Sequence, residues 1–351
     1  MDMRTFARLR RAVAAALLLI LTLSACAADT PDDADKPGDV MQIGMIFDNF
    51  VMERWERDRD VFVSTARELG AEVNVQNANG SADEQVKLME YFIKKNVDAI
   101  VIVPIESEPL LESVQKAQSA NIKVISYDRL IVGARPDLYI TFDNGEVGRL
   151  MAKTLLENAA PQSGILMICG PLTDNNVLEI ESGFMSEIDG ADVTIIDKYY
   201  ADGWKPENAG AYIREHREAA VSAAGIMCGN DNLAGAVVEA LAEQRLAGNV
   251  RVVGQDGDLA ACQRIVEGTQ AMTVYKPVEK LASRAAQETV KLIRGESADA
   301  GVYVAQNGDS IPYVKLDPVA VTAENMQSVI IDSGFHLRAD VYLNRPDVME
   351  P

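Results

Sequence analysis

Histidine and cysteine are scarce in this chain of 351 residues: two of the first, His216 and His336, and four of the second. His216 lies in a charged helical stretch and His336 near the C-terminal end, so histidine-based catalysis or zinc binding has little to build on. Setting Cys26 aside, Cys169, Cys228 and Cys262 are an odd set without metal-ligand spacing. Cys169 and Cys228 close apolar runs at 165–169 and 226–228, where buried, inert thiols are expected. Positive charge is short too. Lys and Arg number 33 against 53 Asp and Glu, a formal net charge of -20 that repels nucleic acid and anionic lipid. Glycine is missing where a phosphate loop would need it, since Asp48-Asn49-Phe50 follows the first apolar run. There is no Gly-x-Ser-x-Gly nucleophile elbow either. These gaps lead to the expectation of no catalytic set, no metal and no cofactor.

The chain opens as an export signal does. Arg4, Arg8, Arg10 and Arg11 make a basic start, and residues 12–23 an apolar stretch shorter than a membrane-spanning helix requires. Leu23-Ser24-Ala25-Cys26 then supplies a small-residue cleavage site with a cysteine directly after it. That order resembles the lipobox of bacterial lipoproteins, which implies a signal peptide over 1–25 and a lipid on Cys26. Residues 26–40 are rich in Asp, Ala, Pro and Gly with no apolar period, and are expected to form a flexible tether. Losing residues 1–25, with four Arg and one Asp, would take the charge from -20 to about -23. The remaining stretch of about 310 residues exceeds one typical domain, so two lobes are expected.

From Gln42 onward, strand-like apolar runs alternate with amphipathic helical ones. The first series places strands at 42–48, 72–76, 99–104 and 123–127, with helices at 53–69, from Ser81 and at 108–120 between them. Gly70 ends the first helix and Ser81-Ala82-Asp83-Glu84 opens the second as a capping box. After 139–142 the rhythm restarts, with helices from Asn144, at 176–188, 206–220, 233–246 and 259–267. Strands at 165–169, 193–196, 226–228 and 251–254 lie between them. Such β–α alternation predicts two doubly wound α/β lobes with parallel sheets. Ligands of such sheets bind beyond the carboxyl ends of the strands.

Short polar clusters sit at those ends. They are Glu53-Arg54-Trp55, Tyr127-Asp128-Arg129, Asp174-Asn175-Asn176, Asp202-Gly203-Trp204, Asn230-Asp231, Gln255-Asp256 and Thr273-Val274-Tyr275-Lys276-Pro277. A pyranose offers hydroxyls that donate and accept, plus an apolar face. Carboxylates, a planar guanidinium and Asn amides match the first, and a Trp face the second. Arg54, Arg129 and Lys276 against Asp128 and Asp256 nearly balance, which favours a neutral sugar over a phosphate or uronate. Taken singly, each residue has a plainer role. Asp256 and Asn230 could cap helices, Trp55 could be core, and Lys276 a solvated hinge residue. Their convergence on one edge is what favours a site.

In order along the chain, these motifs resemble those of the D-xylose-binding proteins of sugar ABC transporters, from about residue 42 to 336. Gly44-Met45-Ile46-Phe47-Asp48, Gln76-Asn77-Ala78-Asn79-Gly80, Thr141-Phe142-Asp143-Asn144 and Gly334-Phe335-His336 extend the match. Related multi-sugar binders share the Arg-Trp and Tyr-Asp-Arg motifs. The resemblance implies a type I periplasmic-binding fold with a three-strand hinge, crossing near 139–144, 275–278 and 316–321. It implies one lobe of 41–142 plus 278–317, another of 143–277 plus 318–338, and a tail at 339–351. Carried over by position, the sugar-binding set is Arg54, Trp55, Asp128, Arg129, Asn175, Asn176, Trp204, Asn230, Asp256 and Lys276. The implied partners are a monosaccharide, an ABC permease and, through Cys26, a membrane. Asn49, Phe50 and Glu106-Ser107-Glu108 depart from the pattern and leave the exact aldose open.

Three other roles bear weighing. The same receptor could present sugar to a membrane sensor kinase or chemoreceptor. A secreted glycosidase would use paired carboxylates, but each candidate Asp has an Arg or Lys beside it, which lowers the pKa a general acid must keep high. A sugar-responsive repressor would need a DNA-binding helix pair where residues 1–40 carry an export signal.

Overall fold

The computed structural model describes residues 40–157, 159–305 and 307–348. The expected signal peptide, Cys26 and all of the expected tether except Val40 lie outside the described residues. The first series is β1 (Met41–Phe47), α1 (Arg54–Glu68), β2 (Ala71–Asn77), α2 (Ala82–Lys95), β3 (Ala99–Ile102), α3 (Leu111–Ser119), β4 (Lys123–Tyr127) and β5 (Leu138–Phe142). The second begins with α4 (Asn144–Leu156), β6 (Ser163–Cys169), α5 (Asn175–Ile188), β7 (Val193–Tyr200), α6 (Pro206–Glu215) and α7 (Arg217–Ser222). It continues through β8 (Ala223–Cys228), α8 (Asp231–Glu243), β9 (Arg251–Asp256), α9 (Leu259–Glu267) and β10 (Met272–Tyr275). Then come α10 (Val278–Ile293), β11 (Gly301–Val304), β12 (Ser310–Leu316), β13 (Val319–Val321) and the short α11 (Arg338–Val341).

These strands form two sheets. One is ordered β11-β12-β5-β4-β3-β1-β2 and the other β13-β10-β9-β8-β6-β7. All pairs are parallel except β11 with β12 and β10 with β13. Both faces of each sheet are covered. In β1, Ile43, Met45 and Phe47 join one buried cluster while Ile46 joins another, and in β6 Leu166 and Ile168 face away from Ile165 and Met167. The chain passes from one sheet to the other after β5, after β10 and between β12 and β13. The architecture is thus the two-lobed, three-crossing α/β fold implied by the motifs.

Helix positions follow from the side chains that must be buried. In α10, Val278, Leu281, Ala282, Ala285, Ala286 and Val290 make an apolar stripe, and the helix packs along α1. The Ser81 hydroxyl caps α2 by accepting from the Glu84 amide at 3.2 Å. The helix expected over 206–220 is instead two, broken at His216 (φ -110, ψ 47). There the imidazole stacks on the Tyr212 ring at 4.1 Å, and its Nδ1 lies 2.9 Å from the Tyr212 carbonyl, using an acceptor of the helix's last turn. Cys169, Cys228 and Cys262 are free and buried, and burial pushes the Cys169 thiol up to about 12. Residues after β13 return over the second lobe, where Met326, Ile330, Phe335 and Val341 pack on Cys262 and Ile265 of α9 and on Tyr275.

Candidate functional site

Each sheet reverses its strand order once, between β1 and β3 in the first and between β6 and β8 in the second. Polar side chains gather at the carboxyl ends around both reversals, as such sheets favour. Arg54, Trp55, Asp128, Arg129, Asn176, Trp204, Asn230, Asp256 and Lys276 line one cavity, together with Met52, Asp174 and Gln255. The first four come from one lobe, the next five from the other lobe and its hinge strand. The cavity is narrow, about 20 Å³, roughly the room of one water. Wider hollows lie elsewhere, such as one of about 880 Å³ between α10 and β12, an open surface groove away from this cluster.

Asn175 is not brought to this cavity. As the first residue of α5, it donates its side-chain amide to Glu179 Oε1 at 2.9 Å and lines hollows on the outer surface instead. Its neighbour Asn176 turns inward and donates to the Asp128 carbonyl across the lobes at 3.0 Å.

The charges are tightly paired. Arg54 Nε lies 3.1 Å from Asp58 Oδ2, Nη2 lies 2.9 Å from Asp128 Oδ1, and Nη1 lies 3.7 Å from Asp256 Oδ1. Arg129 bridges Asp48 and Asp174, both at 2.8 Å, so one guanidinium ties the end of β1 to the other lobe. Lys276 Nζ stands 3.4 Å from Asp256. Five carboxylates therefore meet three cations. The near-balance expected from Asp128 and Asp256 alone becomes an acidic excess, because Asp48, Asp58 and Asp174 fold into the same cluster.

Burial and pairing compete at every group. Burial works to raise the Asp128 carboxyl, but Arg54, Lys276 and Arg129 outweigh it and hold it below the usual range. At Asp174 burial wins over Arg129 and the pKa rises. Asp58, with no exposed surface, is pushed up to about 6 by burial despite Arg54 and a hydrogen bond from the Tyr127 hydroxyl. Burial disfavours charge on Arg54 and Arg129, yet their carboxylate partners keep both firmly protonated.

Several buried polar atoms of the lining have no hydrogen-bond partner among the described residues: Arg54 Nη2, Asp128 Oδ1, Trp55 Nε1 and Gln255 Oε1. The first two are ion-paired with each other at 2.9 Å, which leaves Trp55 Nε1 and Gln255 Oε1 unmet. Unmet donors and acceptors are costly in a dry interior and cluster where a polar ligand is received. Strain is concentrated here as well. Asp128 (φ 62), Trp204 (φ 58) and Asp256 (φ 105) all adopt positive φ, a conformation non-glycine residues hold only when their surroundings impose it.

The plainer roles divide. Asp256 caps no helix, since α9 has Asp258 at its cap position. Asn230 does cap α8, accepting from the Leu233 amide at 2.9 Å through Oδ1, and only its amide nitrogen is left for the cavity. Trp55 is buried with the Arg54 guanidinium 4.4 Å above its ring, so it backs that arginine. Trp204 donates from Nε1 to Asp174 at 3.3 Å, and its ring lies where a Cβ on Gly170 would be, 2.3 Å away. The sugar-binding set carried over from the motifs omits Asp174, Gln255, Met52, Asp48 and Asp58, although Asp48 sits, like Asp128, just past the last apolar residue of its strand. Asp174 and Gln255 stood beside chosen residues in strand-end clusters, and that adjacency was the available signal. Asp58 carried one too, as a charge four residues after Arg54 on the same helix face.

The chain as a whole is similar to known proteins. A family model for the periplasmic binding protein domain matches residues 43–297. A D-xylose-binding periplasmic protein of Haemophilus influenzae is 37% identical over 308 residues, covering 86% of this chain and 92% of the relative. Its counterpart in Escherichia coli is 38% identical over 307 residues, with the same coverage. Among solved structures, an ABC transporter solute-binding protein from Clostridium phytofermentans with bound β-D-glucose superposes with a TM-score of 0.76 at 26% identity, covering 86% of this chain and 99% of that one.

Proposed function

This chain belongs to the periplasmic binding protein family, and on that premise we propose that it captures D-xylose, or a close neutral aldose, between its lobes and delivers it to an ABC permease. The observation that carries the reading is the cavity wall itself. It is contributed by both lobes, dense in donors and acceptors, and includes two buried polar atoms, Trp55 Nε1 and Gln255 Oε1, that meet no partner among the described residues. Sugar hydroxyls supply the missing partners. Asp128 and Asp256 accept, Arg54, Arg129 and Lys276 donate, and Trp204 offers an apolar face. An acidic excess around the cavity repels phosphorylated or carboxylated sugars, which narrows the ligand to neutral ones. No bond of the sugar is made or broken. Binding shifts the protein toward its closed form, and the permease meets the closed pair of lobes. The reading also has Cys26 lipidated and the receptor held at an extracytoplasmic membrane surface, which incorporation of labelled palmitate, lost in Cys26→Ala, would test.

Thermal unfolding against xylose, glucose, galactose, arabinose and ribose is the direct experiment. Sugar at a hundred times its dissociation constant adds about 2.7 kcal/mol. The largest upward shift is expected with xylose, and an Asp256→Ala protein should lose about 10- to 100-fold in affinity. No shift with any of the five sugars would reject the reading.

A further inference from the structure

Helix α9 has no cap of its own. Asp258 occupies the cap position and makes no side-chain capping bond. The cap comes from the opposite lobe, where Glu53 Oε2 accepts from the Leu259 amide at 3.0 Å. Glu53 in turn stands at the cap position of α1 without capping it. Its other oxygen lies 3.9 Å from His336 Nδ1, and His336 Nε2 donates to the Gly257 carbonyl at 2.8 Å in the loop leading to α9. One turn further along α1, Arg57 donates to the Phe335 carbonyl at 2.8 Å and lies 4.3 Å over the Phe335 ring. Its other nitrogen is fixed by Glu279 at 2.9 Å. The first turn of α1 thus sends Arg54 into the cavity and clasps the second lobe with the side chains on either side of it. Neither Glu53 nor Arg57 lines the cavity.

From these contacts we infer that Glu53 and Arg57 are positioning residues for sugar binding: with Leu259 and Gly334-Phe335-His336 they form a clasp that exists only when the lobes are closed, and so set how long sugar is held. An orphan amide at a helix N-terminus is well served by a carboxylate. A carboxylate that reaches it only on closure adds its interaction to the closed state alone. The apparent affinity scales with the closed fraction, and release is slowed in proportion. This rests on the sugar-receptor reading, and sugar specificity stays with the cavity wall.

Stopped-flow tryptophan fluorescence with D-xylose on the parent, Glu53→Ala, Glu53→Gln and Arg57→Ala tests it, alongside melting and small-angle scattering with and without sugar. Glu53→Ala and Arg57→Ala should release xylose roughly 3- to 30-fold faster, with the sugar-free melting temperature unchanged. Glu53→Gln retains an acceptor for the Leu259 amide and should stay within about twofold of the parent. Parent-like release in both alanine variants would overturn the clasp. So would equal destabilisation with and without sugar, or a glutamine variant as impaired as the alanine one. If the parent itself takes no xylose, the receptor reading falls separately. Scattering with whichever other aldose of the panel lowers the parent's radius then decides the clasp: a smaller closure in Glu53→Ala supports it and an equal one overturns it.

Discussion

Asp58 shows how one carboxylate can be forced into an interior and kept there. It faces Arg54 Nε and the Tyr127 hydroxyl with no exposed surface, and burial lifts its pKa from 3.8 to about 6. A folded-state pKa above the unfolded value means that the stabilisation is complete below about pH 4 and is lost as the pH rises through 6. Asp58→Asn removes that titration. Between pH 4 and pH 8 the variant should therefore gain about 3 kcal/mol relative to the parent, measured as unfolding free energies in urea at both ends. A difference that stays constant with pH would mean that Asp58 does not charge within this cluster. In sequence, seven of the eight residues 53–60 are charged, so no apolar stripe marks the inward side. A motif match singles out Arg54 there, and Asp58, one turn further on the same face, is seen to join the cluster only once α1 has a buried side.

At the scale of elements, the site depends on how closely α4 and α5 cross. A Cβ on Gly148 would come within 2.0 Å of the Ile180 carbonyl oxygen, and one on Gly183 within 2.0 Å of the Gly145 carbonyl oxygen. The helices touch backbone to backbone, and no flexible side chain can give way. This contact holds Asn144 at the start of α4 against Asn176 in the first turn of α5, with Nδ2 of the former 3.0 Å from Oδ1 of the latter. Gly183→Ala should cost about 1–3 kcal/mol or more, seen as a lower melting temperature. It should also weaken sugar binding, because Asn176 moves with its helix. An alanine variant that melts and binds like the parent would show that the crossing can relax. Element order was legible from β–α alternation, and so was the capping box at Ser81. The break at His216 was not, since it comes from a ring stacking on Tyr212, four residues back, within an otherwise helical pattern.

At the scale of the whole molecule, closure and charge act together. Arg129 to Asp174 and Asn176 to the Asp128 carbonyl span the lobes at 2.8 and 3.0 Å, and the cavity they seal is about 20 Å³. A ring-sized sugar must part these walls to enter and is then enclosed again, a hinge movement between bodies that keep their own cores. Sugar saturation should lower the radius of gyration of the open population in solution scattering. Because the ligand is neutral, its dissociation constant should change by less than about twofold between 50 and 500 mM salt. A strong salt dependence would point to a charged ligand instead.

The sequence by itself determined the alternation of strands and helices and the two-lobed α/β class. It also marked most of the residues that meet at the strand ends, because period, glycine and capping signals are local and survive without contacts. Only the tertiary structure decided which of two adjacent asparagines, Asn175 or Asn176, turns inward, since one residue along a helix is a turn of about 100°. It also decided the charge of the site. Asp48, Asp58 and Asp174 lie up to 126 positions apart in the chain yet share two guanidinium groups, and a pairing of that kind exists only after the strands that carry it have been laid side by side.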